Sequence, residues 1–389
     1  MVDTTFTVIY PNELAQLPDG SALYGYRHAD TQSIVIVGDE QQSRHQPRVA
    51  LVGWLERSKP IDAQECPSSD GVLLVQRDGD QLIFELNGTR CQGIPYSLEQ
   101  DLFSRNTGLL ETTRMRQAGV IICGCGSVGS LAALELARSG VGRFLLIDPE
   151  LLAIENLCRH QCGLADVGRR KVEAVAERIH QINPRAEVEV QSMRIERLDP
   201  ARIAAFVEGA NPQQQKGDTL MLACADSRRA DRQAARLAAL LQLPFLSIGL
   251  WERAFAGEIF YSHPGEPMPC YGCAFEGVAQ TIGTQPEPKR RFYTTEAELE
   301  KLDFQPGIGI DIAFVTQIGL KLAIDLLNRD NPQHVRRLLG KLSQFTLVCN
   351  SNDPRLGGER AEIFSHPLQV TSSIQVGYGQ DCPPCRWTS

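Results

Sequence analysis

The stretch that most constrains this chain is Gly124-Cys125-Gly126-Ser127-Val128-Gly129, a G-x-G-x-x-G turn. It is entered from an apolar run at residues 120–123. It is left through a segment that sets Leu131, Leu134 and Ala137 at helical spacing. A second apolar run, residues 144–147, ends on Asp148. Strand, glycine turn, helix and strand in that order predict a β-α-β nucleotide-binding unit. Gly124 admits the tight turn, Gly126 lets a phosphate approach the backbone, and Gly129 lets helix and strand close on each other. The helix N-terminus that follows offers N–H groups and a partial positive charge to an anion. Asp148 falls where a ribose hydroxyl is held.

The residues after Asp148 separate one nucleotide chemistry from another. A hydride-transferring enzyme continues in plain β-α repeats. Here Glu155-Asn156-Leu157-Cys158-Arg159-His160-Gln161 and Gly168-Arg169-Arg170-Lys171 crowd the mouth of the turn with cations, and an apolar run at 219–224 ends in Ala225-Asp226-Ser227. Cations and a strand-end carboxylate able to hold Mg2+ are what phosphoryl or adenylyl transfer requires, because charge develops on phosphate oxygens.

Arg105-Asn106, the glycine turn, Asp148, the run Glu155-Asn156-Leu157-Cys158-Arg159, Lys171 and Asp226 stand in the order and approximate spacing of the ubiquitin-activating-like ThiF/MoeB superfamily. From about residue 102 to the C-terminus the chain resembles that superfamily, and it looks closest to the bacterial members found in ubiquitin-like conjugation systems. The resemblance implies an ATP-dependent adenylyltransferase. Such an enzyme caps the C-terminal carboxylate of a ubiquitin-like protein with AMP and releases pyrophosphate. It implies ATP phosphates over Gly124, Gly126, Ser127 and Gly129, the ribose on Asp148, and Asn156, Arg159 and Lys171 around the triphosphate. Asp226 holds Mg2+, and Arg105 reaches the phosphates from the neighbouring subunit of a homodimer. The implied partners are a ubiquitin-like protein with an exposed tail and, downstream, a conjugating enzyme. Two rivals stand beside this reading: adenylation of a sulfur-carrier protein or peptide, and a non-catalytic docking scaffold. A full Arg, Lys and Asp set speaks against the scaffold, since a binding module needs no phosphate cations with a metal carboxylate.

One departure from the superfamily bears on the step after adenylation. Its activating enzymes form a thioester on a cysteine in or beside a crossover loop, here expected at residues 280–302. This chain has no cysteine between Cys273 and Cys349. Cys158 and Cys162 flank Arg159, and nearby cations lower a thiol pKa. Small buried packing residues are the plainer reading of both.

Two C-x-x-C pairs, Cys270 with Cys273 and Cys382 with Cys385, supply four thiolates suited to a closed tetrahedral structural Zn2+ site; a redox dithiol is the alternative. The fold class expected for residues 101–389 is α/β: a doubly wound, mainly parallel Rossmann-like adenylation domain carrying that zinc site. Residues 1–100 differ. Short β-type runs at 33–37, 48–53, 71–76 and 81–86, with a hairpin turn at Arg77-Asp78-Gly79-Asp80, predict a small α+β domain. Within it, residues 53–60 followed by Ser68-Ser69-Asp70 faintly resemble the JAB/MPN metalloprotease motif. Arg57 and Lys59 stand in its histidine places, and neither is a neutral nitrogen ligand, so no metal is expected there.

Residues 100–115 read as a polar helix, 171–182 as an amphipathic one, 227–241 and 311–327 as further helices. Residues 187–190, 244–249 and 256–261 read as strands, and 342–350 as a strand of a second sheet. A net charge of −8 argues against nucleic acid as a general partner. No apolar run has membrane-span length, and the polar start lacks the form of a signal peptide, so a cytoplasmic chain is expected.

Overall fold

Strict alternation at Ser33–Gly38, with Ile34 and Ile36 buried and their neighbours half-buried, makes a strand with one face inward. In the computed structural model, which describes residues 6–56, 71–209, 218–275, 306–379 and 382, this pattern recurs around a closed barrel. The chain divides into two units, Met1–Arg105 and Asn106–Ser389.

The first unit contains β1 (Thr7–Pro11), β2 (Ala22–His28), β3 (Ser33–Gly38), β4 (Ala50–Leu55), β5 (Leu73–Asp78), β6 (Gln81–Leu86) and β7 (Thr89–Tyr96). They close in the order β1-β3-β2-β4-β5-β6-β7, with β1 running parallel to β7. Val8, Leu23, Ile34, Val52, Val75 and Phe84 fill the core. The α+β expectation is therefore corrected. The α-helix described in this unit is the four-residue Glu40–Ser43, beside a 3-10 turn at Asn12–Gln16. Closure disposes of exposed strand edges without covering helices. Strands β1, β2 and β7 escaped the sequence pattern because Pro11, Gly25, Gly93 and Pro95 interrupt their apolar alternation. The residues of the metalloprotease-like stretch that carried the comparison, Arg57, Lys59, Ser68, Ser69 and Asp70, lie outside the described residues.

The second unit is one eight-stranded sheet of β8 (Gly119–Cys123), β9 (Arg143–Ile147), β10 (Glu187–Gln191), β11 (Thr219–Ala223), β12 (Phe245–Leu250), β13 (Ala256–Ser262), β14 (Phe345–Cys349) and β15 (Val370–Thr371). Its order is β10-β9-β8-β11-β12-β13-β14-β15. The first five strands are parallel and the last three antiparallel, so the mainly parallel expectation holds. Strand β14 corrects one assignment: it pairs with β13 in this same sheet, and not in a second one.

β8 shows why the sheet is covered on both sides. Val120 and Ile122 join a core built with the helices Ser127–Arg138, Lys171–Ile182 and Gly309–Leu327. Ile121 and Cys123 point the other way, into a core shared with Pro200–Glu208 and Arg228–Leu240. A strand buried on both faces reads as one continuous apolar run, which is how 120–123 read. Residues 100–115 are not one helix but turns, a 3-10 turn at Ser104–Asn106 and a short helix Thr112–Gln117, because Asn106, Thr107 and Gly108 break the helical path. Among the described residues no helix is long and apolar enough to cross a membrane.

Candidate active site

From β8 the chain builds the sheet in two directions, through β9 to β10 on one side and through β11 to β12 on the other. That reversal, between the C-terminal ends of β8 and β11, is the crevice where open α/β sheets hold ligands. The glycine turn leaves β8 at this point, Asp148 leaves β9 and Asp226 leaves β11.

The turn is held from several sides. Gly124 has φ +93°, a left-handed conformation that disfavours any side chain, and a Cβ there would lie 2.8 Å from the Ala225 backbone. Its N–H donates to the Ile147 carbonyl at 2.8 Å. Gly126 precedes the first turn of helix Ser127–Arg138 without a side chain to cap it, which leaves the helix start open to an exogenous anion. Ser127, the first helical residue, is half-buried.

Asp148 is 6% exposed and does more than its sequence position suggested. One carboxylate oxygen accepts the Cys125 N–H of the turn at 2.7 Å; the other accepts the Glu150 N–H at 2.8 Å. Burial raises its pKa, against the lowering effect of those amides and of Lys171. Lys171 opens helix Lys171–Ile182, is itself buried, and pairs with Glu150 at 2.5 Å. A bound triphosphate would compete with Glu150 for that ammonium.

His160 was passed over in the sequence and belongs to the same cluster. Its Nδ1 accepts the Cys162 N–H at 3.1 Å, so Nε2 carries the proton and donates to the Cys125 carbonyl at 2.8 Å. The turn residue Cys125 is thus held by Asp148 on its N–H and by His160 on its carbonyl. The available signal was a histidine directly following Arg159 in an otherwise cation-bearing loop. Burial lowers the His160 pKa from 6.5. Between the folded value and 6.5 the unfolded chain therefore takes up a proton that the native chain refuses. The stability His160 contributes is present above about 6.5 and is lost as pH falls through the lower folded value. His160→Ala should cost about 2–4 kcal/mol at neutral pH, from two buried partners left unpaired. The gap in melting temperature between it and the wild type should narrow from about pH 7.5 to about pH 5.5. A constant gap over that range would contradict the buried neutral imidazole.

Asn156 spends its side-chain oxygen on the Ala153 N–H at 3.0 Å, and its backbone carbonyl accepts from the N–H groups of Arg159 and His160. Arg159 is half-buried against the start of helix Gly309–Leu327. A Cβ placed on Gly307 would lie 3.6 Å from its guanidinium. Asp226 is exposed, beyond the end of β11, and its charge is felt by Asp231 on the following helix. The structure thus gathers the turn, Asp148 and Lys171 into one cluster, with Asn156 and Arg159 in the loop between them. Arg105 is exposed in the turn Ser104–Asn106 and is the last residue of the first unit.

Of the two cysteines beside Arg159, Cys162 is buried and burial pushes its thiol up to about 12, the packing role expected of it. Cys158 departs from that expectation and is exposed, its thiol directed to the Glu155 carbonyl at 3.3 Å. The expected crossover segment, residues 280–302, lies outside the described residues.

Three of the four cysteines expected at a zinc site converge. The sulfurs of Cys270, Cys273 and Cys382 lie within 4.8 Å of one another, and the Gly379 N–H donates to the Cys273 sulfur at 3.2 Å. Clustered soft donors with an amide bonded to one sulfur fit a structural zinc ion. Cys385, the fourth expected ligand, lies outside the described residues. Metal analysis of the purified chain should find about one zinc per chain, and Cys273→Ser should lower both that content and the melting temperature. A metal-free chain that melts at the same temperature would refute the site.

The chain is 30% identical over 182 residues to ubiquitin-like modifier-activating enzyme 5 of Drosophila ananassae, covering 46% of this chain and 45% of that protein. It is 31% identical over 206 residues to the enzyme of the same name from Branchiostoma floridae, covering 50% and 48%. The chain thus spans about half the length of these curated relatives. The enzyme of that name from Bombyx mori is 27% identical over 280 residues, 70% of this chain and 67% of that one. Among solved structures, E. coli MccB with succinimide superposes with a TM-score of 0.51 at 18% identity, covering 75% of this chain and 76% of MccB. At that identity the likeness is one of fold. The sequence pattern of the ThiF family matches residues 98–352, well over half of the chain, and the chain belongs to that family.

Proposed function

We propose that this chain adenylates the C-terminal carboxylate of a ubiquitin-like protein with ATP, releasing pyrophosphate. The observation that carries the reading is the braced glycine turn at the sheet's switch point, with buried Lys171 beside it and the exposed carboxylate of Asp226 at the end of the neighbouring strand. The relatives named ubiquitin-like modifier-activating enzyme 5 support the substrate class, and E. coli MccB, a neighbour in fold, has been solved with ATP.

On this reading the triphosphate lies over Gly124, Gly126, Ser127 and Gly129, and the ribose is held at Asp148. Arg159, Lys171 and, from a second copy, Arg105 neutralise phosphate oxygens as the transition state forms, and the Asn156 amide donates a hydrogen bond to them. Asp226 is a hard oxygen donor of the type Mg2+ prefers, and the ion, when bound, would screen charge on the phosphates. A carboxylate oxygen of the carrier attacks the α-phosphorus in line while the bond to the pyrophosphate oxygen breaks. The products are an acyl-adenylate and pyrophosphate. No general base is needed, because a C-terminal carboxylate is already ionised at neutral pH. The residues act by positioning and by charge.

Buried Cys162 does not suit a thioester nucleophile, since its thiolate is strongly disfavoured. Exposed Cys158, on the other side of Arg159, is the remaining candidate of the two, so the reading is adenylation followed either by a thioester there or by direct handover to an acceptor such as a conjugating enzyme. The test is exchange of labelled pyrophosphate into ATP with Mg2+ and a ubiquitin-like protein bearing a free tail. Exchange that appears with the carrier and vanishes when its last residues are removed supports the proposal. Exchange only with a sulfur-carrier protein or short peptide moves the substrate class, and no exchange with any carrier leaves a docking scaffold.

A further inference from the structure

Tyr271 sits between Cys270 and Cys273, and its side chain leaves the cysteine cluster for the first turn of helix Arg228–Leu240. The residue is 2% exposed, its ring packed edge-on against Phe245 and Phe260 and tilted against Phe275. Its hydroxyl donates to Asp231 Oδ2 at 3.3 Å and accepts from Arg228 Nη1 at 3.0 Å. Arg228 also pairs with buried Glu258, whose other oxygen accepts the Trp251 Nε1–H at 2.9 Å, and its guanidinium lies 4.0 Å over the Phe275 ring. Asp231 is 4% exposed, and its Oδ1 has no hydrogen-bond partner among the described residues. The Tyr271 hydroxyl is thus the bond that keeps this carboxylate from being wholly orphaned.

The position of this network gives it a consequence at the candidate site. Arg228 is the first residue of its helix, Ser227 caps it through the Ala230 N–H, and Asp226 is the residue before the cap. A guanidinium fixed on Tyr271, Glu258 and Phe275 therefore fixes the backbone two residues beyond Asp226. The Arg228 side chain is half exposed and Asp231 is only partly satisfied, so the arrangement depends on the few contacts that are made, and removing one of them loosens the rest. We propose that Tyr271 is a positioning residue: its hydroxyl, set by the cysteine cluster on either side of it, locks Arg228 and Asp231 and so holds the segment that bears Asp226. The metal-holding part of this inference rests on the adenylation reading; the mechanical part does not.

The full-length chain with Tyr271→Phe tests both parts, because it keeps the ring packing and removes one hydroxyl. Zinc content should stay at the wild-type level. Backbone amides of residues 225–230 should exchange with deuterated solvent about ten-fold faster, since the helix start loses its buried anchor. The Mg2+ concentration for half-maximal pyrophosphate exchange should rise about ten-fold. Stripping zinc from the wild type with a chelator should speed the same amides, and should add little in the variant, because both remove one link. Amide rates within two-fold of wild type with zinc retained would overturn the proposal whatever the catalytic result. An unchanged Mg2+ requirement, in a chain whose exchange is abolished by Asp226→Ala, would overturn it as well. Should the wild type show no pyrophosphate exchange, the adenylation reading falls and the amide rates still decide the role of Tyr271. If Tyr271→Phe loses zinc, Arg228→Gln, which keeps Tyr271, carries the test under the same thresholds.

Discussion

Asp226→Ala is expected to lower carrier-dependent pyrophosphate exchange by about a thousand-fold, the scale of loss when charge stabilisation on the phosphates, here by the Mg2+ that Asp226 would hold, is removed. Its cost to the fold should be small. Asp226 is exposed, beyond the last residue of β11, and an exposed substitution away from caps and cores stays within about 0.5 kcal/mol. Ser227, not Asp226, caps the next helix, so the helix start survives the change. The experiment pairs the exchange assay with a melting curve. Lost exchange with an unchanged melt places Asp226 in the mechanism. Exchange within ten-fold of wild type would remove it and, with it, the argument that the end of β11 holds a metal. Asp226→Asn is the sharper companion, since it keeps the shape and one oxygen donor and deletes only the charge. It should fall between wild type and alanine if the carboxylate's charge toward Mg2+ is what matters.

The parts of the second unit that could be read in the sequence were those whose pattern is set locally. The apolar runs at 120–123 and 144–147 announced buried parallel strands because both faces of the sheet are covered, and Val120 and Ile121 do enter opposite cores. Lys171–Ile182 was legible to the residue, since its apolar spacing is helical and Asn183-Pro184 stops it. The barrel was not legible as a barrel. Its closure depends on β1 meeting β7 across some eighty residues, and no local pattern reports a pairing at that range. The assignment of β14 failed for the same reason: its five buried residues say strand, but only its register against β13 says which sheet.

The site divides along a similar line. Residues that would touch the ligand belong to a motif, so they could be named in advance. The residues that brace the turn could not. Asp148 was expected at a ribose and is found holding the Cys125 N–H, and His160 had no assigned role until its ring was seen on the Cys125 carbonyl. Lys171 was expected as a phosphate cation and is found beside Glu150, a partner whose proximity depends on how the loop after β9 folds back on the helix.

Two neighbouring glycines should separate fold from function most cleanly. A Cβ at Gly129 would lie 1.8 Å from the Gly124 carbonyl oxygen, a backbone atom tied into the turn that cannot swing aside. Gly129→Ala should therefore cost about 3 kcal/mol or more and lower the melting temperature by about 6–10 °C. A Cβ at Gly126 would meet nothing within 4 Å, and its φ of −75° with ψ −153° is open to any residue. Gly126→Ala should therefore cost less than about 1 kcal/mol, the penalty for alanine at the head of a helix. It would still place a methyl group in the open space over the turn, where the phosphates have been put. ATP affinity should then fall at least about ten-fold, the cost of forcing one methyl between surfaces in contact. Calorimetric titration of ATP into both variants, beside their melting curves, reads the two effects apart. The expected pattern is an unstable Gly129 variant and a stable Gly126 variant that binds ATP poorly. A Gly126 variant that binds ATP as tightly as wild type would mean that the phosphates do not lie over this turn, and the arrangement proposed for Lys171 and Asp226 around them would fall with it.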